Sequence, residues 1–201
     1  SWLLCSCGVT RTEVMATAKA YHLHSWTPTL SNAFHGEDPD GIRVDTPDQD
    51  FRPSNSETRP GWWVAGEPNT GIPYQWGGFD TPAEFDRKIA RGYFAGDVYT
   101  PAKRAGNDSV VSRFACGVDC SGFISRCWGL DRPYSTAELP SICEELSDYS
   151  ELRPGDLLNK PKDHAMLFAG FADEEGEVLI LYETGCPPSW KVMYHTIQTR
   201  E

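Results

Sequence analysis

The hydrophobic spacing of this chain changes at Pro154-Gly155-Asp156, and that change constrains the fold more than any other feature. Before it, apolar residues recur at helical intervals behind recognisable caps. Thr10 and Glu13 make a capping box ahead of Val14, Ala18 and Tyr21, which share one helix face. Thr81 caps a second helix with Pro82 at its first position, Glu84 closing the box, Phe85 and Ile89 facing inward and Gly92 as a stop. A third begins near Asp119 and carries Phe123, Ile124, Cys127 and Trp128; a short fourth follows Ser135, with Glu138 three residues on. Beyond the turn, His164 to Phe171 and Val178 to Thr184 read as strands, joined into a hairpin by Asp173-Glu174-Glu175-Gly176. A last strand runs from about Lys191 to Ile197. Helices first and strands last is the α+β pattern.

At 201 residues, with 39% apolar content and seven Trp, the chain can bury its own core and suits one compact domain. From about Ser31 to Gly71, Pro, Gly, Asp, Asn and Ser dominate and no apolar period recurs, the mark of a long loop region that wraps a core or serves function. Residues 1–71 therefore read as a helix and loop extension packing on a core formed by residues 72–201. No run approaches the ~18 apolar residues of a membrane span. A net charge of −11 without a stripe of Lys and Arg argues against DNA or RNA as ligand. Seven Cys leave at least one unpaired in a monomer, the state expected here. Cys5 and Cys7 lack a second Cys/His pair at zinc-finger spacing, so no metal and no cofactor is expected. One disulfide among Cys116, Cys127, Cys143 and Cys186 is allowed, without a fixed pair. Leu4-Cys5-Ser6-Cys7 loosely resembles a lipoprotein signal site with Cys7 as the acylated residue, although a frayed terminus is the plainer reading.

Cys120 carries the chemistry. A helix N-terminus stabilises a thiolate through its dipole and free N–H groups. Asp119 caps the helix, Cys120 falls in its first turn, and the small Ser121 and Gly122 leave room for a substrate backbone. A thiol nucleophile needs a base, and the base needs an orienting partner. His164 opens a strand, and Glu183 lies near the end of the next. With the turn centred near 173–174 or 174–175, His164 sits opposite Glu183 or one diagonal step away. In both registers the two side chains share a face. His22 and His24, at i and i+2, make a poor metal pair; His35 reads as a solvated loop histidine; Trp62 and Trp63 read as packing of the long loop rather than sugar platforms.

Four stretches resemble the NlpC-type papain-like cysteine peptidases of bacterial cell walls, in the family's order: Tyr74-Gln75-Trp76-Gly77-Gly78, Asp119-Cys120-Ser121-Gly122-Phe123, Leu152-Arg153-Pro154-Gly155-Asp156-Leu157 and His164-Ala165-Met166-Leu167-Phe168. The resemblance covers about residues 72–185. It implies a papain-like fold, with helices on a mostly antiparallel sheet and with N-terminal and pre-nucleophile insertions. It also implies an extracytoplasmic endopeptidase that cleaves peptidoglycan stem peptides at the γ-D-glutamyl–diamino acid bond. Carried over by position, Cys120 is the nucleophile, His164 the base and Glu183 the orienting residue, where the family often has His, Asn or Gln. Tyr74 helps the Cys120 N–H hold the oxyanion, and Asp119 and Ser121 contact the amino end of the substrate. A wall amidase or acyltransferase with the same catalytic set, and a non-catalytic wall-binding protein, are the other readings.

Overall fold

In the computed structural model, which describes residues 2–4 (backbone course only), 8–53, 60–185 and 189–199, helices pack on an antiparallel sheet in an α+β arrangement. Helix α1, Arg11–Leu23, starts on its expected box: Thr10 Oγ1 accepts the Glu13 N–H at 3.2 Å, and Glu13 Oε2 accepts the Thr10 N–H at 2.7 Å. Helix α2, Pro82–Ala90, repeats the device with Thr81 and Glu84. Helix α3, Pro101–Gly106, has half of the device: Thr100 Oγ1 accepts the Lys103 N–H at 3.2 Å and Pro101 takes the first position. Helix α4, Cys120–Cys127, begins at Asp119, whose carboxylate accepts the Gly122 N–H at 2.5 Å. The box at Ser135 and Glu138 also forms, but the fourth helix expected there does not follow. Pro140 has no N–H to continue the ladder, and the chain makes only a 3-10 turn over Leu139–Ile142.

Six strands form the main sheet: β1 (Trp2–Leu4), β2 (Glu144–Glu145), β3 (Leu157–Lys160), β4 (His164–Phe171), β5 (Val178–Thr184) and β6 (Val192–Gln198). Their order is β6-β5-β4-β3-β1-β2, with every neighbouring pair antiparallel. Side-chain alternation gives this sheet two apolar faces. Leu157, Ala165, Leu167, Tyr182 and Val192 join the main core, where they meet Val14, Ala18 and Tyr21 of α1 and Phe123, Ile124 and Cys127 of α4. Leu158, Phe168, Leu179 and Leu181 point the other way and cluster with Leu152. Phe123 is fully buried, edge-on to Tyr21 at 5.6 Å, so its truncation to Ala costs about 3–5 kcal/mol.

The Pro154-Gly155-Asp156 turn is a structural hub. The buried Asp156 pairs with Arg11 of α1 at 2.7 Å, the Trp128 indole donates to the Gly155 carbonyl, and the turn exchanges backbone bonds with Phe168 of β4. It thereby fixes both helices to the strand that carries His164.

Residues before position 72 share the main core: Trp26 and the fully buried Trp63 lie in the same cluster as Phe85 and Ile72. The stretch expected as a long loop contains a short hairpin, His35–Glu37 with Arg43–Asp45, and a pairing of Ser25–Trp26 with Asn69–Thr70. Buried Asn32 ties it to α2 by donating to the Ile89 and Tyr93 carbonyls. His35 bonds Asp45 at 3.2 Å and Asp48 at 2.9 Å. His22 and His24 go to separate partners, the Val192 carbonyl and Asp86. Cys116, Cys127 and Cys143 are free thiols, so no disulfide joins them; Cys5, Cys7 and Cys186 lie outside the described residues, and with them the lipoprotein-like site. Among the described residues, no helix is long and apolar enough to cross a membrane.

Candidate active site

The position of Cys120 is set by backbone segments pinned against the start of α4. Gln75 N–H donates to the Val118 carbonyl, Val118 N–H to Pro73, and Asp119 N–H to Gly78, at 3.0, 3.2 and 3.0 Å. The fit is tight. A Cβ added to Gly122 would stand 2.1 Å from the Gly78 carbonyl oxygen, so only glycine lets the 73–78 segment lie against the helix. The space expected for a substrate beside Gly122 is thus filled by the protein itself. As the first residue of α4, Cys120 has a backbone N–H with no helical carbonyl one turn earlier to accept it, and its thiol is partly exposed.

His164 is the first residue of β4, where the sheet ends beside the start of α4. Its imidazole hydrogen-bonds Glu183 Oε2 through Nε2, and Cys120 lies close enough to bear on its charge. The hairpin register explains the second contact. Leu167 pairs with Tyr182 and Phe168 with Leu181, before a bulge ahead of Gly170. Continued back along the strands, this pairing puts His164 one diagonal step from Glu183 on the same face, the second of the two registers read from the sequence.

The charges of this pair support each other. Burial pulls the His164 pKa down, but the hydrogen bonds and negative charge of Cys120 and Glu183 outweigh it and hold the imidazole well above its usual range. Burial raises Glu183, yet bonds to His164 and His195 bring it below the usual carboxylate range. A charged imidazole facing a carboxylate is the form this pair favours.

Tyr74 is buried beside Cys120, with its ring tilted against Trp190 at 5.3 Å centroid distance. Burial first, then the charges of Cys120 and Asp119, push its phenol well above its usual pKa, so it stays a neutral hydroxyl donor. Asp119 and Ser121 face inward. The Asp119 carboxylate accepts from Gly122 N–H and Ser121 Oγ, and bonds to the Gly77 and Ser121 backbone as well; burial pushes it up to about 6 against those bonds. Ser121 is itself buried. These bonds engage the polar atoms of both residues in capping and loop closure.

Aromatic residues from the long N-terminal stretch complete the surroundings. Phe51 clusters with Tyr74, Val98 and Trp190, and the Trp62 indole donates to the Trp190 carbonyl at 2.9 Å. Both Trp62 and Trp63, whose indole donates to Ala95, serve packing. A cavity of about 280 Å³ opens on the other side of His164, lined by apolar Leu158, Met166, Leu179 and Ile197 among others; Cys120 is not in its wall.

One residue of this arrangement escaped the sequence reading. His195 on β6 bonds Glu183 Oε1 through Nε2. Leu181 pairs with His195 across β5 and β6, which puts His195 on the Glu183 face, one diagonal step away.

No protein-family model, curated protein or solved structure matches this chain.

Proposed function

We propose that this chain is a cysteine endopeptidase of the NlpC type, acting outside the cytoplasm on peptidoglycan stem peptides. The observation that carries the reading is the Cys120–His164–Glu183 set: a thiol in the first turn of a capped helix, close to an imidazole that a buried carboxylate orients. The sequence resemblance supplies the substrate class and the γ-D-glutamyl–diamino acid bond.

The chemistry follows from the positions. Cys120 Sγ adds to the carbonyl carbon, and its electron pair moves onto the carbonyl oxygen. The Cys120 N–H and the Tyr74 hydroxyl are the donors for that oxyanion. His164 gives its proton to the amine nitrogen as the C–N bond breaks, leaving a thioester on Cys120. The neutral imidazole then takes a proton from water, whose hydroxide adds to the thioester and releases the acid. Glu183 keeps the ring oriented and stabilises its charged form.

The test is mass spectrometry of a peptidoglycan digest with the wild-type chain and with Cys120→Ala. The reading requires cleavage after D-glutamate by the wild type and a loss of at least ~10³-fold in the variant, as for removal of a nucleophile that acts as part of a unit. Cleavage only between glycan and the first L-alanine makes the protein an amidase. Binding without cleavage makes it a wall-binding protein.

A further inference from the structure

Glu183 is buried, and a buried carboxylate needs partners for both oxygens. One oxygen faces His164 and the other faces His195. Among the described residues, these two imidazoles are the hydrogen-bond partners of the carboxylate. They come from the strands on either side of β5, so the three residues form a row across β4, β5 and β6 on one face of the sheet. The mechanism above uses His164 and Glu183 and leaves His195 without a task.

We propose that His195 is a positioning residue of this site, which acts through Glu183 by donating its Nε2–H to Oε1 and so presents Oε2 to His164. A carboxylate held by one donor can rotate about its terminal torsion, whereas one held at both oxygens by groups on two fixed strands cannot. His195 donates through Nε2 both as the Nε2–H tautomer and as the cation. The ionisable groups that reach the row are Cys120 from α4 and Glu183 on His164, and the two imidazoles on Glu183. This inference rests on Cys120, His164 and Glu183 being the reacting set, and it adds a fourth member behind them.

Two variants of similar length separate positioning from packing. His195→Gln keeps an N–H donor where Nε2 stands; His195→Met fills the space without one. Two measurements need no peptidoglycan. They are the NMR titration of the His164 imidazole and the pH profile of Cys120 alkylation by iodoacetamide, located by peptide mapping. His195→Met lowers the His164 midpoint by about one unit and slows alkylation below that midpoint about tenfold. His195→Gln stays within about twofold of wild type, the span of ~0.3 unit. In the wild-type chain the His195 ring N–H gives a slowly exchanging resonance, a measurement that does not depend on either variant folding. The inference is overturned if that resonance is absent, if both variants match wild type, or if both are slowed equally. A wild-type chain in which Cys120 alkylates no faster than the other thiols overturns the inference and the cysteine-hydrolase reading together. Normal alkylation without stem-peptide cleavage removes only the substrate assignment.

Discussion

Gly122→Ala tests whether the start of α4 is built as described. The new methyl carbon would lie 2.1 Å from the Gly78 oxygen and 3.0 Å from Asp119 Oδ1, roughly 1 Å or more inside ordinary contact with the carbonyl. Relief requires the Gly78 carbonyl to move, and that carbonyl accepts the Asp119 N–H at 3.0 Å. Losing that bond costs about 0.5–1.5 kcal/mol. Overpacking in a segment pinned on both sides costs about 1–3 kcal/mol more. Opposing them is the better helix propensity of Ala, which returns at most about 1 kcal/mol. The clash wins, with a net loss of roughly 0.5–3.5 kcal/mol, which for a chain of this size lowers Tm by about 1–14 °C. Gly8→Ala is the control: nothing lies within 4 Å of its added carbon, and its effect stays within about 0.5 kcal/mol. Differential scanning calorimetry reads the stability, and iodoacetamide alkylation of the folded fraction reads the site. Because the displaced segment also carries Tyr74, Gly122→Ala slows alkylation in protein that is fully folded. A variant that melts at or above the wild-type temperature shows that propensity prevails and that the close approach of Gly78 to the helix is wrong.

Two further expectations concern buried charge. Lys103 and Asp97 form an ion pair at 2.5 Å with both side chains out of solvent. Lys103→Met should therefore cost about 3–5 kcal/mol in urea unfolding, and adding Asp97→Asn should recover part of it; equal stability of single and wild-type chains refutes the pairing. The His164–Glu183 pair sets a pH window. The raised histidine contributes stability in full below its usual value of 6.5, and the contribution is lost as pH rises through the folded-state value. The lowered glutamate contributes in full above its usual value of 4.5, and that contribution is lost as pH falls through its folded-state value. The stability difference between wild type and Glu183→Gln is thus largest between about pH 4.5 and 6.5 and shrinks on both sides; a difference independent of pH contradicts the coupling.

What the sequence disclosed depended on how local each signal was. Thr10, Thr81 and Asp119 announce helices because a cap and its partner sit three residues apart, and the structure makes those bonds. The same logic applies to Thr100 and Pro101, which cap α3, although no apolar stripe follows to draw attention to them. The shared face of His164 and Glu183 was legible because a period of two survives any even shift in register. His195 was not legible: its register against β5 depends on the connection from Gly185 to Lys191, whose residues name no turn type. β3 is only Leu157–Lys160, with Leu157, Leu158 and Asn159 all buried, so it shows no alternation. Ser121 and Gly122 carried the opposite lesson. Small side chains signal close approach without saying of what, and here the approaching group is Gly78 of the same chain.

The backbone bond from Tyr74 N–H to the Trp190 carbonyl, with that from Val192 N–H to Ile72, orders events during synthesis. The Cys120 helix and the His164–Glu183 hairpin are complete by residue 184, while Tyr74 has been waiting for more than a hundred residues. The segment that anchors it leads into β6, which brings His195, packs against α1 and is the final strand among the described residues. Long-range pairing of this kind is the slow part of folding. A nascent chain still lacking β6 holds Cys120 and His164 but neither the anchored Tyr74 nor the His195 imidazole, so this arrangement is complete only once β6 has been made.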